Sequence, residues 1–213
     1  MKKIVSALAL SALAFGSAYA AAIPGLVNTG AGAPGTIDQN YSLTVIAGDT
    51  YSDGAYVSED SQVRGEWLPN NGTSKWITPT NYASGSLDPY STGQYIYSLA
   101  FTLTAEQAAG ASFHARYAAD NEVSVYLNGQ FISSGASFGA WTDFGANSGF
   151  QAGVNGLQFL VANYAQESGN PTGLRVEFLE SSAPGVVPEP ETYAMLLGGL
   201  ALLGAVARRE RRA

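Results

Sequence analysis

Apolar and polar residues alternate along the middle of this chain with the two-residue period that is typical of half-buried β-strands. The clearest run, 94–104, puts large apolar side chains on one face, namely Tyr95, Tyr97, Leu99, Phe101 and Leu103. Strands are predicted there and at 41–47, 55–57, 63–68, 113–117, 123–127, 131–132, 157–161 and 174–178. Short strands with glycine-rich turns between them predict an all-β domain at 41–182, a β-sandwich or jelly roll.

Local signals add detail to this pattern. Asn128-Gly129 directly follows an alternating run and predicts a tight β-hairpin, because both residues tolerate the positive φ angles of such turns. Thr104 precedes Ala-Glu-Gln and predicts one short helical turn at 105–110, with the threonine as its N-cap. A long loop rich in glycine and aromatic residues is predicted at 133–150, and the residues 21–40 are predicted to be a flexible lead-in.

The alternation is absent from the first twenty residues, which have the pattern of a secretory signal peptide. Lys2 and Lys3 supply a positive start, 4–15 is an apolar run, and Ala18-Tyr19-Ala20 is an A-x-A cleavage site. We therefore expect a signal peptidase to recognise Ala18 and Ala20 as its cleavage site and to release an exported mature protein that begins near Ala21.

The C-terminal end has three parts. A proline-rich linker, 183–191, precedes an uncharged apolar run, 192–207, and an arginine-rich tail, 208–213. The apolar run predicts a single transmembrane helix, which at ~1.5 Å per residue is roughly 24 Å long and short of a ~30 Å hydrocarbon core. The arginines predict a cytoplasmic tail. The sequence therefore predicts a weak membrane anchor.

The order of these three parts resembles the PEP-CTERM sorting signal of Gram-negative bacteria. The residues that carry the resemblance are Pro188, Glu189, Pro190, Arg208 and Arg209. The resemblance implies that an exosortase recognises the tripeptide and processes the protein, which is held transiently in the inner membrane and then reaches the cell surface or the extracellular exopolysaccharide matrix, as in a biofilm. An ordinary single-span tail with an incidental Pro-Glu-Pro linker is the alternative.

Charge and cysteine content exclude several classes of function. Residues 21–187 contain fourteen acidic residues and four basic ones, a net charge of −10. Nucleic acid is therefore not expected as a partner, because its binding depends on basic groups that neutralise phosphates. The chain has no cysteine, which excludes disulfides, thiolate metal sites and cysteine nucleophiles.

A second resemblance covers residues 70–180. It is carried by Trp76-Ile77, Tyr95, Tyr97, Phe101, Asp120-Asn121, Leu127-Asn128-Gly129, Gly153, Asn155, Leu157, Phe159, Asn163 and 173–176, which look like the galactose-binding-like jelly rolls of exported bacterial proteins. The resemblance implies a jelly-roll fold. It implies no particular ligand, because such domains often bind sugars and often have no known ligand.

Aromatic residues beside polar loops are candidates for sugar binding. Exposed rings next to amide and carboxylate groups suit the stacking and hydrogen bonding of a pyranose. The candidate glycan-binding residues are Trp141, Trp76, Asp120, Asn121 and Asn163, and Trp67, Tyr82 and Tyr90 also lie in or beside polar loops. The alternative is that the large rings close the ends of the sandwich.

Clustered oxygen atoms are candidates for a cation. Asp120, Asn121 and Glu122 could hold Ca²⁺, although the same residue types also favour turns. A second acidic patch contains Asp49, Asp53, Glu59 and Asp60. No cofactor other than Ca²⁺ is expected.

Signals for catalysis are weak. Gly135 to Gly139 fits G-x-S-x-G around Ser137, but the surroundings are not a strand-to-helix turn and the single histidine, His114, comes earlier in the chain. We therefore expect an exported, non-catalytic surface or matrix protein that binds exopolysaccharide. A passive structural or surface-coat protein without a small-molecule ligand is the first alternative, and a secreted polysaccharide hydrolase is the second.

Overall fold

Two antiparallel sheets contain most of the regular structure of the computed structural model, which describes residues 20–185, 195–201, 203 and 208. Residues Ala20–Pro184 form one compact unit. Its strands are β1 (Ala20–Ala21), β2 (Tyr41–Ala47), β3 (Tyr56–Val57), β4 (Ile77–Thr78), β5 (Gly93–Leu103), β6 (Ser112–Asp120), β7 (Glu122–Leu127), β8 (Gln130–Gly135), β9 (Thr142–Ala146), β10 (Gly153–Asn163) and β11 (Gly173–Pro184). Its helices are a short 3₁₀ helix at Asp60–Gln62 and α1 (Ala105–Ala109).

The strand order is that of a β-sandwich. The six-stranded sheet has the order β3-β4-β11-β6-β9, with β1 paired to β11, and the five-stranded sheet has the order β2-β5-β10-β7-β8. Neighbours in sequence are often not neighbours in a sheet, as when β11 pairs with β6 and β10 pairs with β5. The prediction of an all-β sandwich is confirmed.

The alternating residues of the central strands form the core between the sheets. Along β5, and along β10 from Asn155 onward, every second residue is buried, which is the pattern predicted from the period of two. The cluster of buried aromatic and aliphatic residues draws on both sheets and includes Tyr95, Tyr97, Leu99, Phe113, Tyr117, Phe144, Phe159 and Val176. Packing alone holds this core, since the chain has no cysteine.

Two local predictions are confirmed. Asn128 and Gly129 join β7 to β8 with φ angles of 50° and 79°, the left-handed values that a two-residue hairpin requires. Thr104 caps α1, because its hydroxyl accepts a hydrogen bond from the backbone of Gln107 while the Gln107 side chain accepts one from the backbone of Thr104.

Two predicted elements are wrong. Residues 63–68 form no strand, because Val63 and Leu68 turn their side chains to a small cluster around Trp67 outside the sheets. The predicted loop 133–150 contains the end of β8 and all of β9. The sequence pattern missed β9 because Gly145 interrupts its alternation. Glycine is required at this position, since a Cβ atom would lie 2.5 Å from the Phe113 carbonyl oxygen.

The predicted lead-in, 21–40, packs onto the sandwich. Ile23 belongs to the core, and the backbone of Thr29 donates to the carbonyl of Val176 on β11 at 3.1 Å. The Asp38 carboxylate is buried and accepts hydrogen bonds from backbone amides of its own segment. The sandwich therefore begins at the start of this segment and not at residue 41.

A second, smaller core covers the outer face of the six-stranded sheet. Trp67 and Trp76 pack with ring centroids 4.3 Å apart, together with Ala118. Beside them, Arg175 and Glu177 are buried on β11, and their side chains approach to 3.3 Å. Arg116 of β6 makes a second ion pair with Glu177 at 2.6 Å. Charged groups are thus enclosed on a face that a free sheet would expose to water.

Both ends of the compact unit meet at one place, since β1 pairs with the end of β11 and Ala20 lies opposite Pro184. The predicted signal peptide lies outside the described residues except for Ala20, and so do Ala18, Pro188, Glu189, Pro190 and Arg209. Residues 195–201 are helical, and so is Arg208, which is exposed. In the part of the chain that the structure describes, no helix is both long enough and apolar enough to span a membrane. Part of the predicted span 192–207 lies outside the described residues, and the span stays a prediction.

Replacing Glu177 by glutamine should destabilise the sandwich strongly. Burial opposes ionisation of Glu177, but hydrogen bonds from Ser74 and Arg116 and the two guanidinium charges together hold its pKa below the usual value. The variant leaves Arg175 buried without a counter-charge, which costs roughly 3 to 5 kcal/mol. Urea denaturation measures this loss.

Glu180→Gln is the matched control, because Glu180 lies on the same strand and is exposed. We expect this control to change the free energy of unfolding by less than about 0.5 kcal/mol. Equal stabilities of the two variants would contradict a stabilising role for the buried ion pairs.

Candidate functional site

Most of the polar residues that the sequence predicts as a site lie at one end of the sandwich. Strand register places Asp120 opposite Gly173 and Asn163 opposite Gly93. At this end β6 and β10 finish while β5 and β11 begin. We call it the loop end, and it consists of the segments 48–55, 79–92, 120–122 and 164–172. The predicted residues Asp120, Asn121, Glu122 and Asn163 all belong to it or border it.

Asp120 is the buried carboxylate at the centre of this end. Asp120 is only 5% exposed, and one of its carboxylate oxygens, Oδ2, accepts a hydrogen bond from the Trp67 indole at 2.9 Å. The Thr172 hydroxyl donates to the Asp120 backbone carbonyl. Burial raises the pKa of Asp120 to about 6, although the hydrogen bond from Trp67 and the charge of Arg64 partly oppose this rise.

Asn121 and Glu122 are both tied to Tyr164 on the neighbouring loop. The Asn121 side-chain oxygen accepts the Tyr164 backbone amide at 2.8 Å, and the Tyr164 hydroxyl donates to Glu122. This hydrogen bond to the carboxylate raises the pKa of Tyr164. The contacts hold the segment 120–122 against the loop 164–172 and leave the Asn121 amide nitrogen as a donor.

A recess of about 210 Å³ opens beside Asp120. Its walls combine two aromatic rings, the buried carboxylate of Asp120 at the base, the exposed carboxylate of Glu66 and one guanidinium at the mouth, and several amides. The lining residues are Arg64, Glu66, Trp67, Asp120, Asn121, Phe138, Gln166, Gly169, Asn170 and Pro171. We call it the Asp120 recess.

The tryptophans are placed differently from the sequence prediction. Trp76 is fully buried, and its indole donates to the Leu68 carbonyl at 2.7 Å, so it offers no ring face to a ligand. Trp141 is half-buried on the outer face of the six-stranded sheet, where the guanidinium carbons of Arg116 and Arg175 lie 4.5 and 4.8 Å from its ring centre. Neither ring lines the Asp120 recess.

Asn163 is also fully buried, and its partner is a carboxylate that the sequence analysis did not single out. Asp88 accepts hydrogen bonds from the Tyr95 hydroxyl at 2.6 Å, the Asn163 amide at 2.8 Å and the Asp49 backbone at 3.0 Å. Gly48 and Gly93 enclose this carboxylate so closely that a Cβ atom at either would lie 2.5 Å or less from one of its oxygens. Asp88 therefore joins its own loop to the segment 48–55 and to the strands β5 and β10.

The acidic residues bind their neighbours in the loops. Asp49 accepts the backbone amides of Tyr90 and Ser91, and the former hydrogen bond is the main cause that lowers its pKa. Among the residues that the structure describes, no group of three or more potential metal ligands converges on one point. The carboxylates of Asp120 and Glu122 each accept a hydrogen bond from a nearby ring, and Ca²⁺ at this position stays a prediction.

Neither residue weighed for catalysis lines the Asp120 recess, although Ser137 directly precedes the lining residue Phe138. Ser137 is in the loop between β8 and β9, where its hydroxyl accepts the Ala140 amide at 3.1 Å. His114 is exposed on β6, 3.9 Å from Asp143, and lines an open groove of about 810 Å³ at the opposite end of the sandwich. No described residue of that groove is a buried polar group, so the smaller Asp120 recess is the better candidate site.

Arg64 and Gln166 are the recess residues that sequence reasoning missed. Arg64 lies 3.6 Å from Glu66 and donates to the Gly169 carbonyl at 3.3 Å. The Gln166 amide donates to the carbonyl of Ser168. Both residues belong to loops without a periodic pattern, and no sequence signal distinguishes them from other exposed polar residues.

Comparison with known families identifies the C-terminal segment. The PEP-CTERM protein-sorting motif matches residues 186–212, which confirms the recognition made from the sequence. All five predicted sorting residues lie within the matched segment. The motif implies an exported protein that an exosortase processes. No curated protein matches the sequence.

Solved structures resemble the sandwich only distantly. An FMN-binding β-glucuronidase of Faecalibacterium prausnitzii is 16% identical with a TM-score of 0.38 over 66% of this chain and 22% of its own. A β-glucuronidase of an uncultured Clostridium is 12% identical with a TM-score of 0.36 over 70% of this chain and 30% of its own. A mutant of a family 29 carbohydrate-binding module is 13% identical with a TM-score of 0.35 over 70% of this chain and 99% of its own. The chain thus spans less than a third of either glucuronidase, and likenesses this low carry no argument about function.

The stability of the protein should depend on pH through Asp120. Because the pKa of Asp120 is raised, between about pH 4 and pH 6 the folded protein keeps the proton on this carboxyl whereas the unfolded chain has largely released it. The stabilising contribution is therefore complete below about pH 4 and is lost as the pH rises through 6. Asp120→Asn cannot ionise and keeps an oxygen for the Trp67 indole. Its stability relative to the native protein should increase by roughly 2 to 3 kcal/mol from pH 4 to pH 7.5.

Urea denaturation at a series of pH values measures this difference. The control is Asp143→Asn, which makes the same change of charge at a side chain that is 70% exposed. A difference between Asp120→Asn and the native protein that stays constant with pH would show that Asp120 does not titrate in this range.

Proposed function

We propose that this protein is a non-catalytic component of the cell surface or the extracellular matrix that an exosortase sorts and that binds extracellular polysaccharide. The observation that carries the proposal is the PEP-CTERM sorting motif at 186–212. An N-terminal signal peptide delivers the chain to the export machinery, and the apolar segment after the tripeptide holds it in the inner membrane until processing.

The arrangement of the sandwich supports a role for the loop end in binding. The chain enters and leaves the compact unit beside Pro184, and the sorting segment follows in sequence. Gly173 lies at the other end of β11, roughly 35 Å away at ~3.3 Å per residue. The loop end thus lies at the opposite end of β11 from Pro184, where the compact unit ends.

The chemistry of the loop end suits a polysaccharide better than other polymers. Fixed carboxylates and amides can bind hydroxyl groups, and exposed rings can stack on sugars. The exposed tyrosines of this end are Tyr51, Tyr82, Tyr90 and Tyr164. The net charge of −10 in residues 21–187 opposes binding of nucleic acid.

A non-catalytic role is supported by the surroundings of the candidate catalytic residues. His114 is exposed next to Asp143, and the Ser137 hydroxyl bonds to the backbone of its own loop. Glu66, the second carboxylate of the Asp120 recess, is 65% exposed and lies beside Arg64. None of these residues makes the contacts of an activated nucleophile or a general base.

Replacing Pro188, Glu189 and Pro190 together by alanine should abolish sorting. The substitution removes the rigid tripeptide that the exosortase recognises, and the protein should accumulate in the inner-membrane fraction of its host. Cell fractionation and immunoblotting measure the distribution, with Glu180→Ala as a control that removes one negative charge from the sandwich. Surface delivery of the triple variant at the native level would refute the sorting part of the proposal.

Binding of polysaccharide is tested with the full chain in mild detergent on an array of bacterial exopolysaccharides, with and without Ca²⁺. We expect saturable binding to at least one neutral polysaccharide and no release of reducing ends. Self-association without any glycan bound would favour a passive coat protein instead. Turnover of a polysaccharide would refute the non-catalytic part of the proposal.

A further inference from the structure

The Asp120 recess offers a hydrogen-bond acceptor that the protein itself does not use. Asp120 is almost fully buried, and the Trp67 indole binds only one of its carboxylate oxygens. Among the described residues no group donates to the other oxygen, which nevertheless retains contact with solvent. The carboxylate of Asp120 is thus buried and oriented by the Trp67 indole, and one of its oxygens has no hydrogen-bond donor in the described part of the chain. That oxygen can accept a hydrogen bond from a ligand.

The mouth of the recess supplies complementary groups. The Arg64 guanidinium is held over the loop by the Gly169 carbonyl and by Glu66. The Asn121 amide nitrogen is a donor, since its oxygen already accepts the Tyr164 backbone. Trp67 and Phe138 form apolar parts of the wall. Donors, the unused oxygen of Asp120 and apolar surface therefore surround a single small volume.

Size and charge limit the ligand. The volume of about 210 Å³ is below the range of roughly 300 to 1,000 Å³ that sites for drug-sized molecules occupy, and it admits one ring-sized group. Asp120 is buried, and Arg64, the one cation among the described residues that line the recess, already has a partner in Glu66. A negatively charged ligand would meet the buried carboxylate without a free counter-charge.

We propose that the Asp120 recess binds one uncharged pyranose unit of a polysaccharide, with a sugar hydroxyl donating to the free oxygen of Asp120. This inference rests on the proposed binding of polysaccharide and assigns it a position and a class of sugar. Asp120 binds the sugar hydroxyl, and Asn121 and Arg64 donate to sugar oxygens. Trp67, which is itself buried, fixes the carboxylate, and the half-buried Phe138 supplies the apolar contact.

The dependence of binding on pH provides a signature of this contact. A charged carboxylate accepts a stronger hydrogen bond than a protonated one, so affinity should fall between pH 7.5 and pH 5 as Asp120 becomes protonated. The other charged groups around the recess are Arg64 and Glu66 at the mouth, Glu122 on the segment of Asp120 and Glu167 on the facing loop. All four are at least partly exposed, and Asp120 is the one with a pKa of about 6.

The test is a calorimetric titration of the full chain in detergent with the methyl pyranosides of glucose, galactose, mannose and N-acetylglucosamine, and with glucuronate. At least one neutral pyranoside should bind at pH 7.5, and glucuronate should not. Asp120→Asn should weaken that binding about tenfold. If the new amide oxygen accepts the Trp67 indole, the amide nitrogen faces the sugar in place of the acceptor; if the amide is turned the other way, the indole hydrogen bond is lost. Gln166→Ala shortens an exposed side chain that lines the recess and should weaken binding a few-fold, whereas Asp143→Asn, outside the recess, should have no effect.

The outcomes separate this inference from the proposed function. Failure of the chain to bind any polysaccharide or pyranoside would overturn both. The proposed pyranose site alone would be refuted by polysaccharide binding that is unchanged in both Asp120→Asn and Gln166→Ala. Polysaccharide binding without any pyranoside binding would refute it as well. Circular dichroism of each variant checks that the fold is preserved, and binding of glucuronate as tight as that of the neutral sugars would overturn the assigned class of sugar.

Discussion

Burial of one face of each sheet is the constraint on which the rest of this structure depends. Every second residue of β5, and of β10 from Asn155 onward, is buried, and rings from both sheets pack against one another between the sheets. The aromatic contacts around Phe113 and Phe144 link β6, β9, β10 and β11. Since no disulfide assists, this packing provides the main favourable term in folding, and the ends of the strands are fixed in space only because the core fixes the strands.

The loops between these strands are held by carboxylates. Asp38, Asp49 and Asp88 each accept two or more hydrogen bonds from amides or hydroxyls of their own or neighbouring loops. Hydrogen bonds to a charged acceptor stabilise such segments more than neutral ones do. From the sequence, the acidic composition indicates only that the surface is negatively charged. In the structure, several of these carboxylates hold the loops in place through hydrogen bonds. The hydrogen bonds of Asp49 and Asp88 give the loop end a fixed shape.

The Asp120 recess has a different character, because its carboxylate is not fully satisfied. Asp88 has three donors and no contact with solvent, whereas Asp120 has one indole donor and borders an open volume. Burial without full compensation is why the pKa of Asp120 is raised. Such a group lowers the stability of the free protein near neutral pH, and a bound hydroxyl donor would relieve part of this cost. The recess therefore combines a local instability with the capacity to bind.

Local patterns in the chain sufficed to predict the β-sandwich, the Asn128-Gly129 hairpin, the cap at Thr104 and the sorting motif at 186–212, because strand alternation, turns and linear motifs depend on neighbouring residues. Asp120 and Asn121 could also be picked out, as a polar break between strands. Their partners could not, since Trp67 lies 53 positions away along the chain and reaches Asp120 through a loop without periodicity. The burial of Trp76 and the placement of Arg64 follow from how that loop packs on the outer face of the six-stranded sheet, a contact between distant segments that only folding brings together.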